Sequence, residues 1–432
     1  PTKAELLAEI NEEHQRWEAA PAADPTPYLR HYDDPADAQK YFDYVTDTYS
    51  EYDAAKELSL EEAEEDVNYL FDAFYYDFAF YDYFGGHTVF DQAKAEILQE
   101  LQAKDNLTCK DLQEVLVKHL TFIKDGHFNI NHNFPAEKEI PFFFRQVMFV
   151  KTDSGYQDSN GKTVVSVDGH PDLDALFKRS ISKEGYLVYY PVLLKKAKFD
   201  GTEWDKHVCD EQLTVHYADG STDVLTADTW SQYYKDLPKQ NTDLRQTDGI
   251  PVFQFNSFDG SFLQEVNAAA AQMSDAAISM LDLRSNVGGY EEVAHQWITR
   301  YSRQRVQGNG VRYDVVNPVS VAIAHRWQTH DNILILLSGK CSASSAEITM
   351  DLAYNLENSL IIGENTNGCM IGNGGHVELP NSKCSVIMTS VCVYLLPEGA
   401  DYFEEMRGLS PDIWVPAGEA ETLAAKLMKN LK

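Results

Sequence analysis

The chain has 432 residues, of which 44% are hydrophobic and 12% aromatic, a composition typical of a globular protein with two or three domains. Its 68 acidic residues outnumber its 36 basic residues, and the formal net charge of −32 disfavours nonspecific binding to nucleic acid or to an anionic membrane surface. No apolar run approaches the roughly 20 residues that a membrane-spanning helix needs.

Residues 1–125 are predicted to form a helical domain. The segment Ser59-Leu60-Glu61-Glu62 has the pattern of a capping box. Apolar residues then recur at helical spacing: Val67, Leu70, Phe71, Phe74, Phe78 and Tyr81. Gly85-Gly86 is predicted to end this helix, and Thr88 and Thr108 are predicted to start two more.

The rest of the chain divides into two regions of different character. Residues 126–248 contain short β-rich runs separated by turn signals, which predicts a small sheet or barrel domain. Residues 249–432 alternate strands with helices, which predicts an α/β domain. The strands are expected at 252–255, 278–283, 333–337 and 360–362, with helices near 262–273, from 290, from 344 and from 418, and with a hairpin of 375–379 and 385–395.

The segment around Ser344 has the pattern of a strand, a turn and the start of a helix. A serine at a helix N-terminus lies where the helix dipole and unpaired N–H groups favour negative charge, and the Ser345 N–H can stabilise the same charge. Ser344 is therefore a candidate nucleophile. Residues 344–347 also match a capping box, which is the interpretation that local sequence alone favours.

A second turn, Asp282-Leu283-Arg284-Ser285-Asn286-Val287-Gly288-Gly289, also follows an apolar strand and precedes a helix. The N–H groups of Gly288 and Gly289 are candidate donors to an oxyanion, together with that of Ser345. The alternative is a tight turn that needs positive φ with a helix packed behind it, and both interpretations can hold together. Two such turns that converge on one oxygen are typical of a serine hydrolase.

A serine nucleophile needs a general base, and the chain has 13 histidines. His127 follows Asp125-Gly126 where a predicted helix gives way to a strand, a position that places side chains at an edge. Any single histidine is more often a surface or core residue than a base. Cys369 and His376 form a rival nucleophile and base pair, although the residues beside His376 also fit a hairpin turn.

The chain resembles the C-terminal-processing, or tail-specific, serine peptidase family. Four motifs carry the resemblance in the family's order: 282–289, 342–347, Ile362-Gly363-Glu364-Asn365-Thr366-Asn367-Gly368 and Arg407-Gly408-Leu409-Ser410-Pro411-Asp412-Ile413. The resemblance implies that Ser344 is the nucleophile, and the residue can cap the helix as well.

The resemblance also separates two branches of that family. In the bacterial tail-specific branch a lysine 25 residues after the nucleophile is the base, and here that position is Cys369, so the Ser/Lys dyad is absent. The chain is more similar to the tricorn-core branch, which implies His127 as base and Glu405 as its electrostatic support, with Glu404 a one-residue alternative. That branch has a serine before the histidine where this chain has Gly126, so a water or Asp125 is expected to replace the relay.

The implied fold is a multidomain α/β protein with a crotonase- and ClpP-like ββα-spiral core. An N-terminal helical domain precedes this core, and residues 160–225 of the β-rich middle domain resemble part of a PDZ-like module. The implied function is a serine-type peptidase acting on peptides or proteins. The alternative is a catalytically impaired peptide- or small-ligand-binding protein on the same scaffold, which the resemblance to interphotoreceptor retinoid-binding protein modules suggests.

The sequence also allows predictions about cofactors and cellular location. The six cysteines form no Cys-x-x-Cys pair and no zinc-like group with histidine, and no phosphate-binding loop is present, so we expect no metal and no organic cofactor. The resemblance implies a secreted or cell-envelope location in a bacterium, with the leader absent from this chain. The cleavage specificity and the oligomeric state are left open.

Overall fold

A computed structural model describes residues 2–198, 206–233, 240–319 and 326–432. The α-helices in these ranges are α1 Lys3–Gln15, α2 Leu60–Asp77, α3 Gly86–Gln102, α4 Cys109–His119, α5 Leu173–Leu176, α6 Leu263–Met273, α7 Glu291–Ser302, α8 Ser345–Ala353 and α9 Ala420–Asn430. In the described part of the chain, no helix combines the length and the apolar character that crossing a membrane requires.

The strands are mostly short. They are β1 Asn129–Ile130, β2 Lys138–Phe143, β3 Phe149–Thr152, β4 Gly155–Asp158, β5 Val164–Val167, β6 Phe177–Ile181, β7 Leu187–Ala197, β8 Lys206–His207, β9 Gln212–Tyr217, β10 Thr222–Thr226, β11 Trp230–Ser231, β12 Thr242–Thr247, β13 Ile250–Phe255, β14 Ile278–Asp282, β15 Val311–Asp314, β16 Ile333–Ser338, β17 Ser359–Gly363, β18 Gly375–Glu378, β19 Ser385–Met388, β20 Cys392–Leu395, β21 Phe403–Glu404, β22 Gly408–Leu409 and β23 Ile413–Trp414.

A six-stranded sheet in the order β12-β13-β14-β16-β17-β23 forms the centre of the carboxy-terminal half. In this sheet β13, β14, β16, β17 and β23 run parallel to one another, and β12 pairs antiparallel with β13 at one edge. Because side chains alternate along a strand, Leu334 and Leu336 face one side of β16, where α6, α7 and α8 pack. Ile333 and Ile335 face the other side, against α1 and α9. The predicted α/β alternation is confirmed.

The middle region is β-rich, as predicted. One sheet has the order β2-β7-β3-β4, with β6 also paired to β7, and a second has the order β10-β9-β5. Both contribute to one apolar core that includes Phe149, Tyr156, Val215 and Trp230. The resemblance of this region to a PDZ-like module stays a prediction.

The N-terminal helices share their core with the carboxy-terminal half. Apolar residues of α2, α3 and α4 lie in one buried cluster with residues of β15, β18, β19 and β20. Strand β1, which directly follows the His127 segment, pairs antiparallel with β19. The helical region therefore holds the His127 segment against the carboxy-terminal half of the chain.

Several local predictions need correction. Helix α2 ends at Asp77, before Gly85-Gly86, because the next residues turn into the core and the Ala79 N–H donates to the Thr389 carbonyl. Gly85, with φ 108°, is the N-cap of α3, so Thr88 lies inside that helix. The capping box at Ser59 and the helix start at Thr108 are confirmed. The hairpin of β18 and β19 ends at Met388, and β20 pairs with β15 instead.

Candidate active site

Ser344 lies in the turn between β16 and α8. Its φ of 55° is in the left-handed region, which a non-glycine residue adopts only when the surrounding structure enforces it. The buried Glu347 carboxylate accepts the Ser344 N–H at 2.9 Å, and the Ser344 carbonyl accepts the Glu347 N–H. The turn presents the Ser344 hydroxyl to His127, whose Nε2 lies 3.1 Å from Oγ.

Glu347 also joins this turn to the segment that follows β17. Its carboxylate accepts hydrogen bonds from the Gly368 N–H at 2.8 Å and the Cys369 N–H at 3.0 Å. The Thr366 hydroxyl donates to the same carboxylate at 2.5 Å. Four donors fix one buried side chain, so Glu347 holds the backbone of Ser344 against residues 366–369.

The glycine turn lies beside the Ser344 turn because β14 and β16 are parallel neighbours whose carboxyl ends meet at one edge of the sheet. The Ala343 N–H donates to the Asn286 carbonyl at 2.9 Å, and the Ser345 hydroxyl donates to the Gly289 carbonyl at 2.8 Å. A Cβ at Gly288 would lie 2.9 Å from both the Ala343 oxygen and the Ser344 Cβ. The glycine therefore permits the close approach of the two turns.

The three predicted oxyanion donors differ in what they already bind. The Gly288 N–H donates to Asn286 Oδ1 at 2.8 Å, so this donor is occupied. Within the described ranges, neither the Gly289 N–H nor the Ser345 N–H has an acceptor. Both belong to the two turns that meet at Ser344. These two N–H groups are the ones that can donate hydrogen bonds to an oxygen on which negative charge develops.

The His127 segment is held by contacts on both sides. Lys138, which is buried on β2, donates from Nζ to the Gly126 carbonyl at 3.0 Å and also to Asn367 Oδ1. A Cβ at Gly126 would lie 2.1 Å from the Gly368 oxygen and 2.5 Å from the Cys369 Cβ. The serine that the tricorn-core branch has at this position therefore cannot fit here without a shift of the backbone.

Two carboxylates flank His127, the buried Asp125 and the half-buried Glu405. Asp125 Oδ1 accepts the His127 N–H at 3.0 Å and lies 3.8 Å from Nδ1. The carboxylate of Glu405 accepts the Gly126 N–H at 2.8 Å and the Ile371 N–H at 3.2 Å. Glu404, the alternative to Glu405, is exposed and pairs with Arg407 at 2.7 Å. Of the two glutamates, Glu405 is the one in contact with the His127 segment.

Burial dominates the protonation of this cluster. Burial and, to a smaller extent, the Lys138 ammonium together lower the pKa of His127 to about 3, so the imidazole is neutral at ordinary pH. Burial raises the pKa of Asp125 to about 6. Burial and the nearby charges of Asp125 and Glu347 raise the pKa of Glu405 well above its usual value. A neutral imidazole is the form that can accept a proton from a hydroxyl.

Donor atoms of Asp125, His127 and Glu405 lie within 4.8 Å of one another, so these residues could also hold a metal ion. His127 Nε2 already faces Ser344, and the Glu405 carboxylate already accepts two backbone N–H groups. The cluster is thus arranged to hold the His127 imidazole in place while it gains and loses a proton.

The rival pair does not share this arrangement. His376 stacks on Tyr49 with ring centroids 3.8 Å apart, and its Nδ1 lies 3.1 Å from the Thr46 carbonyl. Cys369 is buried, and burial raises the pKa of its thiol well above the usual value, which disfavours the thiolate. The geometry therefore favours Ser344 over Cys369 as the nucleophile.

Two features of the site could not be recognised in the sequence. They are the hydrogen bonds by which Glu347 joins Ser344 to residues 366–369, and the burial of the Lys138 cation. The Glu347 carboxylate was visible only as part of a capping box. No sequence signal pointed to Lys138, since lysine is rarely buried and its partners are a backbone carbonyl and an amide oxygen.

Parts of the chain are similar to known proteins. Residues 249–415 match the family model described as peptidase family S41. No curated protein matches the chain. The fold is similar to mature CPAF (12% identity over 86% of this chain and 96% of that chain, TM-score 0.45). It is also similar to the photosystem II D1 C-terminal processing protease (13% identity over 85% of this chain and 97% of that chain, TM-score 0.39). A third similar structure is the tricorn protease (12% identity over 86% of this chain and 36% of that chain, TM-score 0.38).

The segment that matches the family model runs from β13 to β23 and contains Ser344, the glycine turn and Glu405. The matched segment is therefore similar to a peptidase family S41 domain, and the chain is a serine peptidase.

Proposed function

We propose that the protein hydrolyses peptide bonds in peptides or proteins with Ser344 as nucleophile and His127 as general base. The observation that carries the proposal is the 3.1 Å distance between Ser344 Oγ and His127 Nε2, two atoms from residues 217 positions apart in the chain. The distance lies within hydrogen-bond reach, as proton transfer from a nucleophile to its base requires. The assignment places the chain closer to the tricorn-core branch than to the Ser/Lys branch.

In the first step Ser344 Oγ forms a bond to the carbonyl carbon of the substrate, and its proton moves to His127 Nε2. The carbonyl oxygen becomes an oxyanion, which the Gly289 and Ser345 N–H groups stabilise. The carbon–nitrogen bond then breaks as His127 returns the proton to the leaving amine. Water, activated by His127, attacks the acyl ester, and the released serine regains its proton.

Asp125 and Glu405 support His127 in different ways. Asp125 is the carboxylate 3.8 Å from Nδ1, so it stabilises the positive charge that the imidazole gains. Glu405 holds the Gly126 N–H at 2.8 Å and so fixes the backbone next to His127. Gly126 has no side-chain hydroxyl that could link Glu405 to His127. Asp125 is the carboxylate that interacts with the imidazole instead. Glu405 is thus a positioning residue.

The surface beside the glycine turn fits an apolar peptide. Val287 is 56% exposed and Tyr290 is 69% exposed, and the two residues flank Gly288 and Gly289. Exposed apolar side chains at a site are commonly covered when a partner binds. We infer that they contact substrate side chains next to the scissile bond.

No observation favours the alternative of a catalytically impaired binding protein. That alternative rested on Cys369 and Gly126, the two positions at which the chain departs from the branches of the family. Both are accommodated in the site: Cys369 contributes its N–H to Glu347, and Gly126 contributes its N–H to Glu405. A secreted or cell-envelope location stays a prediction, which fractionation of the source cells tests.

Covalent labelling tests the proposal without knowledge of the preferred substrate. A fluorophosphonate probe should form an adduct on Ser344, identified by peptide mass spectrometry. The Ser344→Ala variant should not be labelled, and His127→Ala should be labelled far more slowly. Ser154→Ala, which removes an exposed serine of the middle region that is distant from Ser344 in the sequence, should be labelled like the native protein. An unlabelled native protein that still binds peptides would overturn the proposal and favour the binding protein.

A further inference from the structure

A cavity of about 390 Å³ lies beside the His127 segment, outside the Ser344 turn. Four aromatic side chains line it: Tyr28, Phe80, Tyr83 and Phe84. Its volume is within the range of small-molecule sites, and aromatic walls with a few polar groups are typical of them. Ser344, His127, Gly289 and Ser345 are not among its lining residues, so the cavity is separate from the reacting atoms.

The cavity lies where three regions of the chain meet. Tyr28 and Phe84 come from the N-terminal region, Lys196 from β7 of the middle region, and Met406 from the peptidase domain. Clefts between regions are common ligand sites. Met406 has a φ of 72°, which places a strained residue on the wall directly after Glu405.

The charged side chains that line the cavity differ in whether they already have ion-pair or hydrogen-bond partners. Arg407 is paired with Glu139 and with Glu404, each at 2.7 Å. Lys124 and Lys196 also line the cavity, and neither has an ion-pair partner among the residues that the structure describes. Glu137 is likewise exposed and has no ion-pair partner in the described ranges, whereas Glu405 already accepts two N–H groups. The two lysines outnumber this one unpaired carboxylate and are the groups available to an incoming anion.

We propose that this cavity binds an amphipathic monocarboxylate, whose apolar group packs among the four aromatic rings and whose carboxylate pairs with Lys124 and Lys196. A compact aromatic ring with a short acidic chain matches both the volume and the two kinds of wall. Such a group occurs in a free arylalkanoic acid and in the carboxy-terminal residue of a peptide. Binding is independent of peptide hydrolysis, so the inference stands or falls separately from the role of Ser344.

Isothermal titration calorimetry of the full chain tests the site with two acids. The probes are 3-phenylpropionate, for a free acid, and acetyl-Ala-Phe, for a peptide terminus. At least one acid should bind at one site with a Kd of about 1 mM or tighter, and its neutral amide should bind about tenfold more weakly. Binding of 3-phenylpropionate alone identifies the free acid as the ligand class, and binding of acetyl-Ala-Phe alone identifies the peptide terminus.

Substitutions locate the binding. Lys124→Gln and Lys196→Gln should each weaken the acid about three- to tenfold and leave the amide unchanged. Tyr83→Ala should weaken acid and amide alike, because it removes apolar contact. These three residues are exposed, so the variants should fold, as far-ultraviolet circular dichroism verifies.

Matched controls complete the test. Lys429→Gln removes an exposed lysine of α9 outside the cavity and should bind the acid like the native protein. Ser344→Ala should bind equally well, because Ser344 does not line the cavity. The proposal is overturned if neither acid binds at about 10 mM, if the amides bind as tightly as the acids, or if both lysine variants bind normally.

Discussion

The two halves of the candidate active site are held together by different interactions. Ser344 and the glycine turn follow neighbouring parallel strands, and backbone groups join them, such as the Ala343 N–H to the Asn286 carbonyl. The half that carries His127 comes from a segment far away in the chain. Charged side chains hold it, above all the buried Lys138 and the half-buried Glu405.

This difference teaches which kind of change should damage each half. The nucleophile half depends on close backbone contact, so added volume should displace it. The base half depends on buried charge, so changes of charge should alter its pH dependence while its shape persists. The predictions below follow this contrast, and activity is measured with fluorescently labelled casein.

The largest effect should come from the two residues at which the halves meet. Ser344→Ala and His127→Ala should each lower kcat by about 10³- to 10⁶-fold, because each removes one partner of the proton transfer. Circular dichroism should show both variants folded. His216→Ala, which removes a half-exposed histidine of β9, is the control and should stay fully active. Full activity of either test variant refutes the assignment.

The contact between the two turns should break under a single added methyl group. Gly288→Ala places a Cβ 2.9 Å from the Ala343 oxygen and the Ser344 Cβ, so kcat/KM should fall about 100-fold. Gly161→Ala is the matched control, since Gly161 has a φ of 78° and nothing within 4 Å of its added Cβ. That variant should lose about 1 kcal/mol of stability and no activity. Equal activity of the two variants would contradict the close approach.

Charge beside the imidazole should matter next. Asp125→Asn should lower kcat about 10- to 100-fold, because it removes the carboxylate nearest Nδ1. Glu404→Gln should change kcat less than about threefold, since Glu404 is exposed and lies outside the His127 contacts. A larger loss for Glu404→Gln than for Asp125→Asn would reverse the assignment of the supporting carboxylate.

The smallest effect should be a shift in pH dependence. Burial and Lys138 lower the pKa of His127, so the acid limb of kcat/KM in the native protein should lie below pH 6.5, about the usual histidine value. Removing the ammonium removes a repulsion against imidazolium. In Lys138→Met the limb should therefore move to higher pH, by about one unit.

Lys138→Arg keeps the positive charge and should leave the acid limb near its native position. Thermal melts of both variants reveal whether burial of Lys138 is also needed for stability. A limb that is unmoved in folded Lys138→Met, or that moves to lower pH, would show that Lys138 does not set the protonation of His127.

Much of the nucleophile half could be predicted because its information is local. The strands β14 and β16, the turns after them and the starts of α7 and α8 each occupy contiguous residues with clear periodicity. The Ser344 to Glu347 pattern also anticipated a real contact, between the Glu347 carboxylate and the Ser344 N–H. Local sequence could not show that the Gly288 N–H is taken by Asn286.

The base half was less predictable because its contacts join distant segments. Asp125 and His127 could be singled out, but the partners of Glu405 are the backbone N–H groups of Gly126 and Ile371, which no side-chain pattern encodes. Lys340 illustrates the same difficulty. Its ammonium donates to the carbonyls of Thr366 and Arg407, and burial lowers its pKa to about 7. Buried lysines of this kind are invisible to composition, since most lysines are exposed.

The most direct test of the central claim, that Ser344 and His127 act as one unit, is the kcat of the double variant Ser344→Ala/His127→Ala. The account predicts that the double variant is no slower than either single variant, because removing one partner already abolishes the transfer of the proton between them. A double variant slower by the product of the two single losses would contradict it, since independent contributions are then shown.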